Sequence, residues 1–353
     1  MQLPSRYAAT GEVINGGCGS ITLCSDTHLD RPVAIKSIHG DQDISRLMDE
    51  LSALMLMRSK HVVQIYDIIH NNGAPVGIVE EYISGDDLMK SAVPQSSLEN
   101  YLQILWQIAA GISDIHSTGI IHRDIKPNNM MLDSESVLKI FDFGLARNVG
   151  PNAETRGFKG TFYFAAPELF STETVAFSQA IDVYAFGATA CYLADKNIPR
   201  ELGQAPPQPA PANTFTSKPY NIPEELKSLF LSCLSHNPEN RPPLSTIRDA
   251  IARHLLKDKH QAITVYQNTP KYLNANNRNI TLKFGTIGTV EIEYDGFRFF
   301  IKSVSGEVSI NNRDVAVNEE IPGSCVVALG SNRRHSAERA YITFDISHPE
   351  VVL

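Results

Sequence analysis

At 353 residues the chain is long enough for two domains with separate cores. Its 42% hydrophobic and 20% charged residues are ordinary for a soluble globular protein, and a formal net charge of -8 argues against nucleic acid or an anionic membrane as the main partner. The five cysteines are dispersed without paired or zinc-site spacing, which fits free thiols in a reducing compartment better than a disulfide framework.

The chain opens with strand-like segments. Glu12 to Leu23 carries a glycine cluster, and Val33-Ala34-Ile35-Lys36 forms a short β run after Pro32. Ile44, Leu47, Met48, Leu51, Leu54 and Met55 then recur at helical spacing. Two β-like runs follow, Val62 to Ile69 and Pro75 to Ile83. From Ser96 the texture turns helical. Ser96 and Glu99 have capping-box spacing, Leu98, Leu102, Leu105, Ala109 and Ile112 mark one apolar face, and Gly119 sits just past the end. Further helices are expected at Ser178 to Ala194 and Pro223 to Leu234, with an exposed proline-rich loop, Ala205 to Pro211, between them. The most apolar stretch, Tyr184 to Ala194, is too short to span a bilayer. The first ten residues lack a basic stretch ahead of an apolar run, so the expectation is no leader and a cytoplasmic location. After His254 short β-prone runs take over at 280–284, 290–294, 297–301, 325–329 and 341–346, separated by turn signals such as Asp295-Gly296 and Pro322-Gly323.

Four features in a fixed order carry the chemistry. The first is Asn15-Gly16-Gly17-Cys18-Gly19-Ser20-Ile21. Alone it reads either as a tight hairpin or as backbone amides lying close over phosphates, where side chains would block the approach. The second is Lys36 at the end of its β run, with Glu50 on the following helix. The third is His122-Arg123-Asp124-Ile125-Lys126-Pro127-Asn128-Asn129, and the fourth is Asp142-Phe143-Gly144 followed by Ala166-Pro167-Glu168.

Together these strings resemble the Hanks-type (eukaryotic-like) Ser/Thr protein kinase family. The resemblance implies an α+β chain: a bilobal kinase fold, N-lobe 1–83 and C-lobe 84–257, then a linker 258–271 and a small β domain 272–353. It implies ATP and Mg²⁺ as cofactors and protein hydroxyls as substrates. Gly16, Gly17 and Gly19 would cover the phosphates, and Lys36, aimed by Glu50, would reach the α- and β-phosphates. Ile21, Ala34 and Met131 would sandwich the adenine, whose edge would bond the backbone of Glu81 and Ile83. Asp142 and Asn129 would hold metal. Asp124 would accept the proton of the attacking hydroxyl, Lys126 would steady the γ-phosphoryl, and Thr161 would line the hydroxyl's pocket. Arg123 beside the catalytic aspartate implies a partner phosphate on the activation loop, with Thr155 as its acceptor. Asp182 and Arg241 also match family positions, and Arg241 implies an ion pair with Glu168.

The sequence departs from the family at three places. Ile14 stands where the first loop glycine usually sits, Cys18 replaces the common aromatic tip, and Glu80 falls at the gatekeeper, a position usually apolar or Thr. A carboxylate there is costly unless paired, so either it finds a partner or the register is off by one. The tail is distantly similar to a forkhead-associated domain through Phe297–Lys302, Val308–Asn312, Ile321–Gly330 and Tyr341–Ile346. Thr286 and Thr289 stand where that family has its recognition serine and histidine, so phosphothreonine binding does not carry over, and docking or homodimerisation is the better-supported role. The alternative to an active, autophosphorylating kinase of bacterial or prophage signalling or phage exclusion is a pseudokinase serving as a binding scaffold. The joint presence of Lys36, Glu50, Asp124, Asn129 and Asp142 argues against that alternative.

Overall fold

β3 (Arg31–Ser37) shows how the first sheet is built. Val33 and Ile35 are buried with Tyr7, Cys24, Ile69 and Val79 in one core, while the alternate residues Ala34 and Lys36 face the other way. With β1 (Tyr7–Gly16), β2 (Gly19–Asp26), β4 (Ile65–Asn71) and β5 (Ala74–Glu81) it forms an antiparallel sheet ordered β1-β2-β3-β5-β4. Asn72 and Gly73, both at positive φ, make the two-residue turn between β4 and β5. This computed structural model describes residues 3–16, 19–38, 51, 54–55, 57–90, 97–143, 147–148, 154–155, 162–171, 175–176, 178–266, 269–347 and 349–351.

Helices follow where apolar residues recur with helical period. α1 (Leu98–Ser117) is capped by Ser97, whose hydroxyl accepts from the Asn100 amide 3.1 Å away. The cap lies one residue later than the capping-box spacing suggested, and Ser96 lies outside the described residues. Four short β pieces come next: β6 (Ile120–Ile121), β7 (Met130–Leu132), β8 (Leu138–Ile140) and β9 (Arg147–Asn148). β6 pairs with β9 and β7 with β8, which brackets the segment His122–Asn129 between paired strands. β10 (Glu154–Thr155) pairs with β11 (Val175–Ala176).

α2 (Ala180–Asp195) is buried almost all round, including the charged Asp182. α3 (Glu224–Cys233) packs so closely on it that a Cβ at Gly187 would come 2.9 Å from the Cys233 Cβ, so only glycine fits there. α4 (Leu244–Leu255) is the last α-helix among the described residues. Among the described residues no helix is long and apolar enough to cross a membrane.

The chain divides into two compact units, Met1–Ile251 and Ala252–Val352. The second holds a six-stranded sheet and a three-stranded sheet. The smaller is ordered β14 (Asn279–Phe284), β15 (Gly288–Tyr294), β16 (Phe299–Gly306). The larger runs β13 (Thr269–Leu273), β12 (Ala262–Tyr266), β20 (Ala340–Ile346), β19 (Ser324–Leu329), β17 (Val308–Ile310), β18 (Arg313–Asp314). Inward residues of both sheets, among them Val290, Ile292, Phe299, Val327, Ile342 and Phe344, share one core.

Two expectations about boundaries are corrected here. The linker 258–271 is not a linker: β12 and the start of β13 lie in it, because Ala262 and Thr264 alternate inward and β12 pairs along β20. The second unit also begins before residue 257, since the Arg253 and His254 side chains pack on Phe297, with 4.7 Å from the Arg253 guanidinium to the ring centroid. The run expected to start at Phe297 starts instead at Phe299, because Asp295 accepts the amides of Phe297 and Arg298 in a turn.

Candidate active site

The outward residues of β3 begin the site. Lys36, little exposed, donates its ammonium to the Asp142 carboxylate, so strand β3 and the segment after β8 meet through one ion pair. Asp142 is held at φ 68°, a left-handed conformation rare for a residue with a side chain. Phe143 beside it is buried against His122, with ring centroids 4.7 Å apart.

The loop 122–129 is shaped from within and from below. Lys126 Nζ donates to Asp124 Oδ2 at 2.8 Å, and the Asn129 amide nitrogen donates to the same oxygen at 2.9 Å and to the Asp124 carbonyl at 2.8 Å. The Asn129 carbonyl accepts the Phe141 amide at 3.0 Å, which ties this loop to the strand end carrying Asp142. His122 is neutral: burial holds its imidazole below the ordinary value, Nδ1 accepts the Asp124 amide and Nε2 donates to the Phe141 carbonyl.

Beneath the loop lies Asp182 of α2. Its two carboxylate oxygens accept the backbone amides of His122 and Arg123, each at 2.8 Å, and His116 Nε2 stands 2.9 Å away. Burial pushes this carboxyl upward, but the contacts with His116 and the amides together outweigh it and hold it below the usual carboxylate range. Arg123, at φ 70°, takes its strained conformation where this anchor grips the chain.

Glu168 is engaged in a bidentate pair. Arg241 donates through Nη1 at 2.7 Å and Nη2 at 2.8 Å, and its remaining donors reach the carbonyls of Ser235 and Ala180. The ion pair implied by sequence is therefore present.

At the end of β5, Glu80 lies opposite Ala34 and Glu81 opposite Val33. The Glu80 carboxyl has no hydrogen-bond partner among the described residues; Lys36 and Asp142 act on it through charge alone. Though part of the residue stays exposed, desolvation of the carboxyl dominates and raises it to about 7. The Glu81 side chain turns elsewhere, pairing with the buried Lys139 at 2.9 Å and accepting the Gln64 amide. The backbone N–H and C=O of Ile83 make no hydrogen bond within the described residues. Ile21, Ala34 and Met131 are half-buried, and Met131 bridges to Asp87.

Several expected site residues cannot be placed. Glu50, Thr161 and Gly17 lie outside the described residues, as does Gly144. Gly16 and Gly19 face each other across the β1–β2 pair, and Thr155 pairs with Val175 through its backbone. Two contacts were not foreseen. The grip of Asp182 on the loop amides joins residues far apart in sequence. Lys139 carried a visible signal, a lysine between Leu138 and Ile140 in an apolar run, which a strand buried on both faces accepts only with a partner.

Asp142 and Asn129 each carry a side-chain oxygen, the hard ligand type that Mg²⁺ takes in small number beside phosphate and water. Among the described residues no group of three or more His, Cys, Asp or Glu side chains is placed to hold a metal without such help.

A family model described as protein kinase domain matches residues 7–256. A probable serine/threonine-protein kinase of Clostridium acetobutylicum is 28% identical over 256 residues, 68% of this chain and 38% of that protein. The mitogen-activated protein kinase kinase kinase YODA of Arabidopsis thaliana is 29% identical over 247 residues, 67% of this chain and 26% of that protein. A serine/threonine-protein kinase of Corynebacterium efficiens is 32% identical over 227 residues, 57% of this chain and 43% of that protein. The chain thus spans less than half the length of each of these relatives.

Proposed function

The chain belongs to the protein kinase domain family, and from that premise we propose that it transfers the γ-phosphoryl of ATP to serine or threonine hydroxyls of proteins. The observation that carries this reading is the convergence of two clusters: Lys36 on Asp142, and Lys126 with Asn129 on Asp124. Each cation stands where a phosphate could replace the carboxylate it now holds.

In this reading Asp124 orients the substrate hydroxyl and accepts its proton, while Lys126 moves onto the γ-phosphoryl as negative charge builds there. Lys36, with Glu50 behind it, fixes the α- and β-phosphates, and the amides of Gly16, Gly17 and Gly19 close over them. Asp142 and Asn129 would hold Mg²⁺, which neutralises phosphate charge when bound. The adenine lies between Ile21, Ala34 and Met131 with its edge on Glu81 and Ile83, where the lobes meet near residue 83. Thr161 lines the pocket for a short hydroxyl.

Regulation follows from Arg123. Autophosphorylated Thr155 would bond its guanidinium and order the activation segment. Thr155→Ala and Arg123→Ala should then lower activity on an external substrate to similar extents, with the double mutant little worse. Fully additive losses, or no phosphate on Thr155 by mass spectrometry, sink this mechanism.

The β unit we read as a forkhead-associated-like module that serves docking or homodimerisation. Because Thr286 and Thr289 replace the recognition residues, the full chain is expected to bind phosphothreonine peptides no better than unphosphorylated ones. Calorimetric titration with both forms decides it, and a clear preference for the phosphorylated form overturns the reading. A kinase followed by a small β module also resembles bacterial and prophage-borne kinases, so we extend the proposal to a cytoplasmic enzyme of bacterial signalling or phage exclusion.

The direct test is phosphotransfer to a protein substrate with ATP and Mg²⁺, followed by phosphoamino-acid analysis. Phosphoserine and phosphothreonine are expected; predominant phosphotyrosine, or no transfer above a heat-treated control, would falsify the proposal.

A further inference from the structure

The Glu80 carboxyl is a half-buried acid with no hydrogen-bond donor among the described residues. Register fixes its place. Glu80 lies across from Ala34 and Ile78 across from Lys36, so Glu80 shares the sheet face of Ala34 and Lys36 rather than the core face of Val33, Ile35 and Val79. Lys36 does not complete it, because that ammonium is given to Asp142. Glu81, the next residue, points its carboxylate at Lys139 and Gln64 instead. A desolvated carboxyl without a partner is costly, and it persists where something from outside supplies the missing bond.

A purine 6-amino group can supply it. In the binding mode proposed above, the base rests on Ala34, directly opposite Glu80, with its edge on the backbone after Glu80 and its phosphates toward Lys36. An exocyclic amino group carries two N–H donors. A hinge carbonyl takes one. The second points back along β5, toward the residue that precedes the hinge.

We propose that Glu80 selects the nucleotide base, its carboxylate accepting the second N–H of the adenine 6-amino group and rejecting 6-oxo purines, whose carbonyl would face it acceptor to acceptor. This rests on the reading of the chain as an ATP-dependent kinase and adds the residue that sets the identity of the nucleotide. Rejection is the stronger half of the effect, because a carboxylate against a carbonyl leaves two desolvated acceptors unpaired.

The test is calorimetric titration of the full chain with ATP, GTP and purine riboside triphosphate, which carries hydrogen in place of the 6-amino group. Mg²⁺ is present, and pH 8 keeps the carboxyl, raised to about 7, ionised. The wild type should bind ATP on the order of tenfold more tightly than the purine analogue, the range of a hydrogen bond to a charged group, and GTP more weakly still. Glu80→Met should bring ATP and the analogue to near parity. Glu80→Gln, whose amide can turn an N–H toward an oxo group, should narrow the gap between ATP and GTP by about tenfold. Unchanged ratios in both variants, or near parity of ATP and the analogue in the wild type, overturn the proposal while the kinase reading stands. A wild type that binds none of the three nucleotides removes the kinase reading, and the proposal with it.

Discussion

Two carboxylates of the kinase unit, Asp182 buried and Glu80 half-buried, titrate in opposite directions. Asp182 accepts two backbone amides of the loop 122–129 and faces His116, and is held below the usual carboxylate range. Glu80 has charged neighbours but no donor, and rises to about 7. Desolvation acts on both; the supply of donors differs. Asp182 is completed when the chain folds, so it shapes the site. Glu80 is left to be completed by a ligand, so it reads what enters.

The comparison breaks first if the loop held by Asp182 does not carry the chemistry. Asp124→Ala is expected to lower the initial rate of phosphotransfer about 10³-fold or more, because positioning and charge stabilisation supply most of the rate. The melting temperature should stay within a few degrees, and a rate near that of the wild type would end the assignment.

Next in size is the anchor itself. Asp182→Ala leaves two amides and His116 without their acceptor inside the unit, a loss of about 3–5 kcal/mol as for other broken buried charge networks. Urea unfolding of the full chain measures it, provided the transition of each unit is resolved. A loss below about 1 kcal/mol would mean that the loop is held some other way, since an exposed pair would give that much.

Glu80 gives the opposite sign. Its carboxyl takes up a proton more readily when folded, so its contribution to stability is greatest below the unfolded value and declines as pH rises from about 4.5 through about 7. Glu80→Gln removes this dependence. Relative to wild type, the variant should gain up to about 3 kcal/mol between pH 4 and pH 8. A constant difference between the two proteins across that range would show that the carboxyl is not desolvated.

The smallest effect belongs to Lys139. Lys139→Met removes the partner of Glu81, which keeps some exposure to water, and about 1–2 kcal/mol is expected from the same unfolding measurement. A loss as large as that of Asp182→Ala would place the Glu81 pair in the same class as the loop anchor.

What the sequence made legible follows distance along the chain. Asp124, Lys126 and Asn129 lie within one short loop, and their mutual bonds need nothing beyond it. Asp182 was recognisable as a family position, but its partners His122 and Arg123 come from another element, and no spacing announces which amides a buried carboxylate will accept. Glu80 was singled out by its alignment with the family's hinge, while its lack of a donor depends on where the neighbouring side chains point. In the tail, short runs of β-prone residues between turn signals mark the strands from Ile280 onward. The stretch before it, expected as a linker, holds β12 and the start of β13. Pro270 sits in β13 and demotes it in a sequence reading, yet β13 is the edge strand of its sheet, where a missing N–H is tolerated.

The burial of α2 has a consequence for how the protein, read as a kinase, should fail on heating. Its inward residues, Val183, Phe186, Ala190 and Leu193 among them, belong to the core, and the same helix holds the loop 122–129 through Asp182. The loop therefore has no local way to melt: it keeps its shape until the helix leaves the core. Inactivation and loss of the helical signal should share one temperature. A kinase that went silent several degrees before that signal fell would have to be failing at its nucleotide cleft, away from the loop.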